Sequence, residues 1–215
     1  MILTGPRTEP ASGGPARNII LFLHGLGADG NDLMGLAPHL APVFPDTLFV
    51  APNAPFDCDM APSGFQWFSL NEATPDKIAN GVREAAPILD RTIDSLLEET
   101  GLAPSNLVLF GFSQGSMMAL HTALRRPEPV AGIASFSGAL IDPDSLAQEI
   151  KSRPPVLLVH GDADEVVPPQ ALTGAQMALE SLQVPVATVM RPGLAHGIDG
   201  EGVQAGASFL KQVLG

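Results

Sequence analysis

The sequence predicts an α/β fold in which helices cover both faces of a mostly parallel central sheet. Short, nearly all-apolar runs are typical of strands that are buried on both faces. These runs alternate with amphipathic segments, as they do in chains of repeated strand–helix units. The 215 residues contain neither an internal repeat nor a linker, so we expect one domain over residues 1–215.

Six apolar runs are predicted to be strands of this sheet. Each is four to seven residues long and is rich in β-branched and large apolar residues. The runs are Asn18–Leu23, Leu48–Ala51, Asn106–Phe112, Gly132–Ser137, Val156–His160 and Pro185–Met190.

Four helical patterns lie between or after these strands. The longest begins near Thr74, with Pro75 at the first helical position and Gly101 placed to end the helix. Pro87 lies inside this pattern and predicts a kink or a break. The other helices are expected over Gln114–Arg125, about Pro169–Gln183 and about Gly202–Leu214.

The charge and the cysteine content exclude several classes of partner and site. The formal net charge is −12, and the cationic residues are scattered. Phosphate backbones and anionic membranes need clustered cations, so neither is an expected partner. The single cysteine, Cys58, allows no internal disulfide. No apolar run is long enough to span a membrane, and no secretory signal pattern opens the chain, so we expect a cytoplasmic protein.

A G-x-S-x-G motif lies at Gly111–Gly115, directly after a predicted strand and directly before a predicted helix. This is the context of a nucleophile elbow, where a sharp turn exposes the central serine above the edge of the sheet. The flanking glycines are needed because side chains there would collide. The amino end of the following helix favours an anion near Ser113. The motif therefore predicts that Ser113 is a nucleophile.

A serine nucleophile needs a histidine that accepts its proton and an acid that orients the histidine. In this type of fold the chain order is serine, acid, histidine. His196 follows the last predicted strand and is the predicted base. For the acid, the loop after Val156–His160 offers Asp162, Asp164 and Glu165, and position alone leaves the choice between Asp162 and Asp164 open. Weaker candidates follow the preceding strand: Asp142 and Asp144.

Four motifs, in this order along the chain, resemble the phospholipase/carboxylesterase family of α/β-hydrolases, which includes acyl-protein thioesterases and bacterial carboxylesterases. They are the segments HGLGADG at 24–30, GFSQG at 111–115, HGDADEVVP at 160–168, and the late His196. The resemblance implies an α/β-hydrolase fold with no separate lid domain, and it implies that Asp164 is the acid. It also implies an oxyanion hole formed by the backbone N–H groups of Leu26 and Gln114. His24 is expected to be a structural hydrogen-bonding residue.

The long irregular segment 52–73 contains several aromatic residues, and loops of this length are usually functional. In the family that the chain resembles, this stretch borders the acyl pocket, which implies that Trp67 and Phe68 contact substrate together with Val167. Anchoring of the loop is the alternative role of the aromatic residues. Many relatives have an acid after Trp-Phe, whereas this chain has Ser69.

The residues and the resemblance together predict a serine hydrolase that cleaves carboxylic esters or thioesters with short to medium acyl chains. A lysophospholipase or an acyl-protein thioesterase is the alternative. The predicted mechanism needs no cofactor and no metal, and the low charge content permits a homodimer.

Two remote alternatives come from other classes of protein. Gly25–Gly30 also matches the G-x-G-x-x-G fingerprint of NAD-dependent oxidoreductases, but the next predicted strand ends without an acid to bind the ribose. The other is a non-catalytic α/β-hydrolase relative that only binds a ligand, although such proteins usually lack a triad residue.

Overall fold

Seven strands form the main sheet of the computed structural model, which describes residues 1–215. The chain has nine strands in all. In chain order they are β1 (Arg7–Thr8), β2 (Asn18–Leu23), β3 (Thr47–Val50), β4 (Phe56–Asp57), β5 (Phe65–Gln66), β6 (Leu107–Phe112), β7 (Gly132–Phe136), β8 (Val156–Gly161) and β9 (Val186–Arg191). The main sheet has the order β1-β3-β2-β6-β7-β8-β9, and β4 and β5 form a separate hairpin. Every neighbouring pair in the main sheet is parallel except β1 and β3. The predicted fold class is therefore confirmed.

The helices lie between the strands and after them. They are α1 (Gly30–Met34), α2 (Ala37–Leu40), α3 (Pro75–Thr100), α4 (Gln114–Ala123), α5 (Pro143–Glu149), α6 (Gln170–Ser181) and α7 (Gly200–Leu214), with a short 3₁₀ helix at Pro104–Asn106. All six predicted strands and all four predicted helices are present. No strand boundary differs from its prediction by more than one residue. None of these helices has both the length and the apolar content needed to cross a membrane.

Helix α3 continues through Pro87, so the predicted break is wrong. Proline has no N–H to donate to the carbonyl of Arg83, and inside a helix it costs about 3 kcal/mol or more. Buried side chains on both sides of the proline, among them Val82, Leu89 and Ile93, pack in the core. Each buried aliphatic side chain contributes about 1.5–3 kcal/mol, so this packing outweighs the cost of the proline.

The sheet separates two apolar clusters, one on each face. Alternate residues of β2 divide between them: Ile19 and Leu21 pack in one cluster, and Ile20 and Phe22 in the other. Because the strands are parallel, their carboxyl ends meet at one edge of the sheet, which is where ligands bind in folds of this kind. The loops after β2, β6, β8 and β9 therefore lie together.

Candidate active site

Ser113 lies on the sharp turn between β6 and α4. Its backbone has φ 54° and ψ −119°, in the left-handed half of φ space that residues with a Cβ rarely adopt. Its N–H donates to the carbonyl of Phe136 on the neighbouring strand at 2.9 Å. Strained backbone of this type is held by surrounding structure and is frequent at functional sites. The serine side chain thereby faces the cavity at the carboxyl edge of the sheet.

The two glycines of the motif are required by close backbone contacts. A Cβ on Gly111 would lie 2.5 Å from the carbonyl oxygen of Gly115, and a Cβ on Gly115 would lie 2.0 Å from the carbonyl oxygen of Leu23. Neither position can hold a side chain without displacement of backbone. The glycines therefore allow the turn and bring α4 against the end of β2.

Ser113, His196 and Asp164 are in contact, although they come from three separate loops. The Nε2 atom of His196 lies 3.0 Å from the Oγ of Ser113. The Nδ1 atom of the same ring lies 2.8 Å from an Oδ2 oxygen of Asp164. The carboxylate can only accept at Nδ1, so Nδ1 carries the hydrogen and Nε2 is left as the acceptor for the serine proton.

The carboxylate of Asp164 is fully buried and has several hydrogen-bond donors. Its Oδ1 accepts from the backbone N–H groups of Val166 and Val167, both at 2.9 Å. Its Oδ2 accepts from His196 and lies 3.2 Å from the Nε2 of His160, which also donates to the Val167 carbonyl at 2.9 Å. Burial raises the pKa of Asp164, but the hydrogen bonds from His196, Val167 and Val166 outweigh it and hold the pKa below its ordinary value. Asp164 is thus ionised at neutral pH.

Asp162, the competing candidate for the acid, has a different set of contacts. Its side chain is exposed and accepts from the backbone N–H of Gly193 at 2.6 Å, in the loop that carries His196. Asp142, another candidate, has different partners, since it caps α5 and pairs with Arg83. Of the acids that position alone left open, Asp164 is the one that contacts His196.

The loop between β9 and α7 is fixed at both of its ends. Arg191 ends β9 and forms hydrogen bonds of 3.0–3.2 Å to the carboxylate of Asp199, which in turn caps α7. The hydroxyl of Ser137 donates to the carbonyl of Gly197 at 3.2 Å. These contacts hold His196 over Ser113.

The backbone N–H groups of Leu26 and Gln114 are available for an anion. Both residues line the cavity at Ser113. The N–H of Leu26 has no hydrogen-bond partner in the protein, and Gln114 is the first residue of α4, where no helical acceptor precedes it. Gly25 lets the Leu26 loop approach, because a Cβ there would lie 3.3 Å from the Cβ of Ser113.

His24 holds the Leu26 loop in place through two hydrogen bonds. Its Nε2 accepts from the N–H of Ala54 at 3.0 Å, so its Nδ1 carries the hydrogen and donates to the carbonyl of Gly25 at 2.7 Å. Burial lowers the pKa of His24, which keeps the ring neutral and suited to both bonds. His24 makes the structural hydrogen bonds that the sequence led us to expect.

An apolar cavity of about 600 Å³ opens at Ser113. Twelve of its 18 lining residues are hydrophobic, and they come from the loop after β2, segment 52–73, α3, the end of β6, α4 and the loops after β7 and β8. Phe68 and Val167, for which the resemblance implies contact with substrate, line the cavity. Such a volume lies within the range of cavities that enclose small organic ligands.

Trp67 does not line the cavity, so its expected substrate contact is corrected. Its side chain is fully buried, and its Nε1 donates to the carbonyl of His24 at 2.9 Å. Its backbone N–H donates to the Oε1 of Gln114, whose Nε2 donates to the carbonyl of Phe68. Trp67 therefore anchors the long loop to the end of β2 and to the start of α4. The indole N–H requires a partner when it is buried, and the loop provides one.

The supporting contacts of His160 and of the Gln114 side chain were not predicted. His160 lies in strand β8, and its Nε2 contacts the carboxylate of Asp164. Both residues lie within or beside motifs that the sequence analysis singled out. No His, Cys, Asp or Glu residues form a group of three or more that could hold a metal ion.

The mostly parallel sheet and the serine on a strand–helix turn define an α/β-hydrolase. The comparisons with known proteins identify its family. The model of the phospholipase/carboxylesterase family matches residues 8–214. The chain belongs to this family, as the four motifs indicated.

Individual relatives agree with this assignment. The chain is similar to acyl-protein thioesterase 1 of Kluyveromyces lactis, with 33% identity over 178 residues that cover 77% of this chain and 78% of the relative. It is 28% identical to the esterase YpfH of Escherichia coli over 93% of this chain and 84% of the relative. Among solved structures it matches that of esterase PE8, with 41% identity, a TM-score of 0.96 and full coverage of both chains. The oxidoreductase alternative finds no support in these matches.

Proposed function

We propose that this chain is a serine hydrolase that cleaves carboxylic esters or thioesters through Ser113, His196 and Asp164. The observation that carries the proposal is the continuous path of contacts from the Oγ of Ser113 to Nε2 of His196, and from Nδ1 of His196 to the carboxylate of Asp164. This arrangement of hydroxyl, imidazole and buried carboxylate activates a serine for acyl transfer. An apolar cavity beside the serine supplies space for an acyl chain.

The reaction proceeds in two steps. In the first step, His196 takes the proton of Ser113 while the serine oxygen attacks the carbonyl carbon, and the protonated imidazole then gives that proton to the leaving oxygen or sulfur. The carbon–heteroatom bond of the substrate breaks and an acyl-enzyme remains. In the second step, His196 takes a proton from water, the hydroxide attacks the acyl-enzyme, and Ser113 recovers its proton as the acid leaves. Asp164 stabilises the charged imidazole in both steps.

The N–H groups of Leu26 and Gln114 are proposed to bind the oxygen that becomes negative in each tetrahedral intermediate. Removal of one such donor typically costs about 10²–10³ in rate. The hydrogen bonds of His24 and of the Gln114 side chain keep the two backbone segments in place. The donors are therefore in position before the substrate arrives.

The acyl chain is proposed to enter the cavity lined by Phe68 and Val167, and its volume favours short to medium chains. The relatives named above include an acyl-protein thioesterase and esterases, so thioesters and oxygen esters are both candidate substrates. A lysophospholipase activity stays an alternative.

A rate series decides between these substrates. We would measure kcat/KM for p-nitrophenyl esters from acetate to palmitate, and for an acyl thioester of matched chain length. The expected result is a maximum at short or medium chains and a steep loss at palmitate, which would extend beyond the cavity. Equal rates along the whole series would contradict the assignment of the cavity, and absence of turnover for all esters and thioesters would reject the function.

Several other predictions accompany this proposal. One domain over residues 1–215 is supported by the single main sheet and by the apolar clusters on its two faces. The absence of nucleic-acid partners follows from the charge of −12. A homodimer and a cytoplasmic location stay predictions from the sequence.

A further inference from the structure

A second, smaller cavity adjoins the cavity at Ser113. Its volume is about 270 Å³. Its walls come from α1 and the residue that precedes α2, from the residue before Ser113 and from the two residues after His196. The lining residues are Asp32, Leu33, Leu36, Phe112, Gly197 and Ile198. Asp32 and Phe112 line both cavities, so the two spaces meet at these side chains.

The position of this cavity fits the leaving group of an ester. In acyl transfer the leaving oxygen must come within hydrogen-bond reach of the Nε2 of His196. The ring of Phe112 packs on the ring of His196, with 4.9 Å between centroids, and Gly197 and Ile198 directly follow that histidine. If the acyl chain fills the larger apolar cavity, the alcohol is directed from Ser113 along the other wall, past Asp32 and Phe112.

Asp32 is the one carboxylate in the walls of the two cavities, and no lysine or arginine lines either of them. Its side chain is exposed and forms no ion pair and no hydrogen bond within the protein. Asp32 lies in the first turn of α1, where a negative charge stabilises the helix. The same carboxylate is also free to attract a cation that enters the smaller cavity, and the net charge of −12 adds to this attraction.

The remaining walls fit a cation that carries alkyl groups. Phe112 presents an aromatic ring, and rings attract ammonium groups within about 6 Å of the centroid. Leu33, Leu36 and Ile198 offer aliphatic contact for methyl groups. A carboxylate, an aromatic ring and aliphatic side chains together form a surface that suits a quaternary ammonium group.

We propose that the smaller cavity binds the alcohol part of the substrate, and that Asp32 makes the enzyme prefer esters of cationic amino alcohols over esters of neutral or anionic alcohols. This inference rests on the proposed function, because it assigns the leaving-group side of the same site. It names a specificity-determining residue that takes no part in proton transfer.

Three butyrate esters with the same acyl chain test the proposal. Butyrylcholine carries a trimethylammonium group, 3,3-dimethylbutyl butyrate replaces its nitrogen by carbon, and the butyrate ester of isethionate carries a sulfonate. Each kcat/KM is divided by the rate of alkaline hydrolysis of that ester, which corrects for the reactivity of the leaving group. The measurements are made on the unaltered chain, on Asp32→Asn and on Asp29→Asn. The last variant is the matched control, since Asp29 is the N-cap of the same helix and lines neither cavity.

The unaltered chain is expected to prefer the choline ester over its neutral analogue by about threefold to tenfold, the size of an exposed charge contact combined with a cation–π contact. Asp32→Asn should lower this ratio by about threefold and raise the isethionate-to-neutral ratio. Asp29→Asn should leave both ratios unchanged. The preference should also weaken as ionic strength rises from about 0.01 M to about 0.15 M, because salt screens exposed charges.

An unchanged ratio in Asp32→Asn, or an equal change in Asp29→Asn, would overturn the role of Asp32. The neutral ester keeps the two proposals apart. Turnover of the neutral ester with no preference for the choline ester rejects the leaving-group site alone. Failure of all three esters, and of the p-nitrophenyl series, rejects the proposed function.

Discussion

The choice of Asp164 as the acid leads to a sharp prediction for Asp164→Asn. The Oδ1 of Asp164 accepts from two backbone N–H groups, so the amide oxygen of an asparagine must take that position. The amide NH₂ then replaces Oδ2 and faces the Nδ1 of His196, which lies 2.8 Å from the present oxygen. Two donors cannot face each other, so Nδ1 gives up its hydrogen and Nε2 takes one. In this tautomer His196 cannot accept the proton of Ser113.

The expected loss is large. A histidine held in the tautomer that cannot accept the serine proton lowers kcat by about 10⁴-fold, which corresponds to about 5 kcal/mol of transition-state stabilisation. The contact between Asp164 and the charged imidazole, buried on the carboxylate side, is also lost. Substrate binding is expected to change little, because Asp164 is fully buried and does not line the cavity. The loss should therefore be in kcat and not in KM.

Asp162→Asn is the matched control, because it removes one charge two residues away. Its amide oxygen can still accept from Gly193, so the loop that carries His196 keeps that hydrogen bond. We expect activity within about threefold of the unaltered chain, since a surface contact of this kind contributes little. Both variants are assayed with p-nitrophenyl butyrate, and thermal unfolding is followed to verify that each one folds. An active Asp164→Asn beside an inactive Asp162→Asn would refute the reasoning and exchange the two roles.

Two further predictions concern stability. Gly115→Ala should lower the free energy of unfolding by about 3 kcal/mol or more, because the new Cβ would lie 2.0 Å from a backbone carbonyl oxygen. Gly174→Ala should raise the free energy of unfolding by about 0.5–1 kcal/mol, because Gly174 lies within α6 and a Cβ there would meet no other atom. Urea unfolding of both variants checks this, and equal effects would contradict it. Burial and the nearby charges of Arg125 and Arg83 lower the pKa of His121 from 6.5 to about 4. As pH falls, His121 is therefore protonated in the unfolded chain before it is protonated in the folded chain. The free energy of unfolding should decrease by about 3 kcal/mol in all as pH drops from 6.5 to 4. Urea unfolding at several pH values should show that His121→Gln removes this part of the pH dependence, whereas His39→Gln, at an exposed position, keeps it. An unaltered dependence of the free energy of unfolding on pH in His121→Gln would contradict the role of burial.

Much of the fold could be predicted because five of its strands, β2, β3, β6, β7 and β8, are buried on both faces, whereas the edge strand β9 is partly exposed. Val156–Val159 is apolar throughout, and such a run is typical of a strand in the middle of a parallel sheet. The two-residue strands of the β4–β5 hairpin and the five-residue helix α1 were not predicted, because they are too short to show a period. Pro87 was given too much weight, since local preference is overridden by packing along α3.

The candidate site was predictable where a residue type is tied to a backbone shape. Ser113 lies between two glycines that only one kind of turn requires, and His196 follows a strand that ends at the same edge of the sheet. The contact of His160 with Asp164, and the anchoring role of Trp67, depend on where side chains point after the loops pack. Spacing along the chain carries no information about those directions, so these contacts required the structure.

Activation of Ser113 by His196 is the central step of the proposed function. A fluorophosphonate probe reacts with a serine hydroxyl only when it is activated, and the modified residue is found by mass analysis of peptides. We predict stoichiometric labelling at Ser113 in the unaltered chain and none in Ser113→Ala, whose turnover should fall by about 10⁴–10⁶-fold while the fold is kept. Labelling at another serine, or full esterase turnover in Ser113→Ala, would contradict the account.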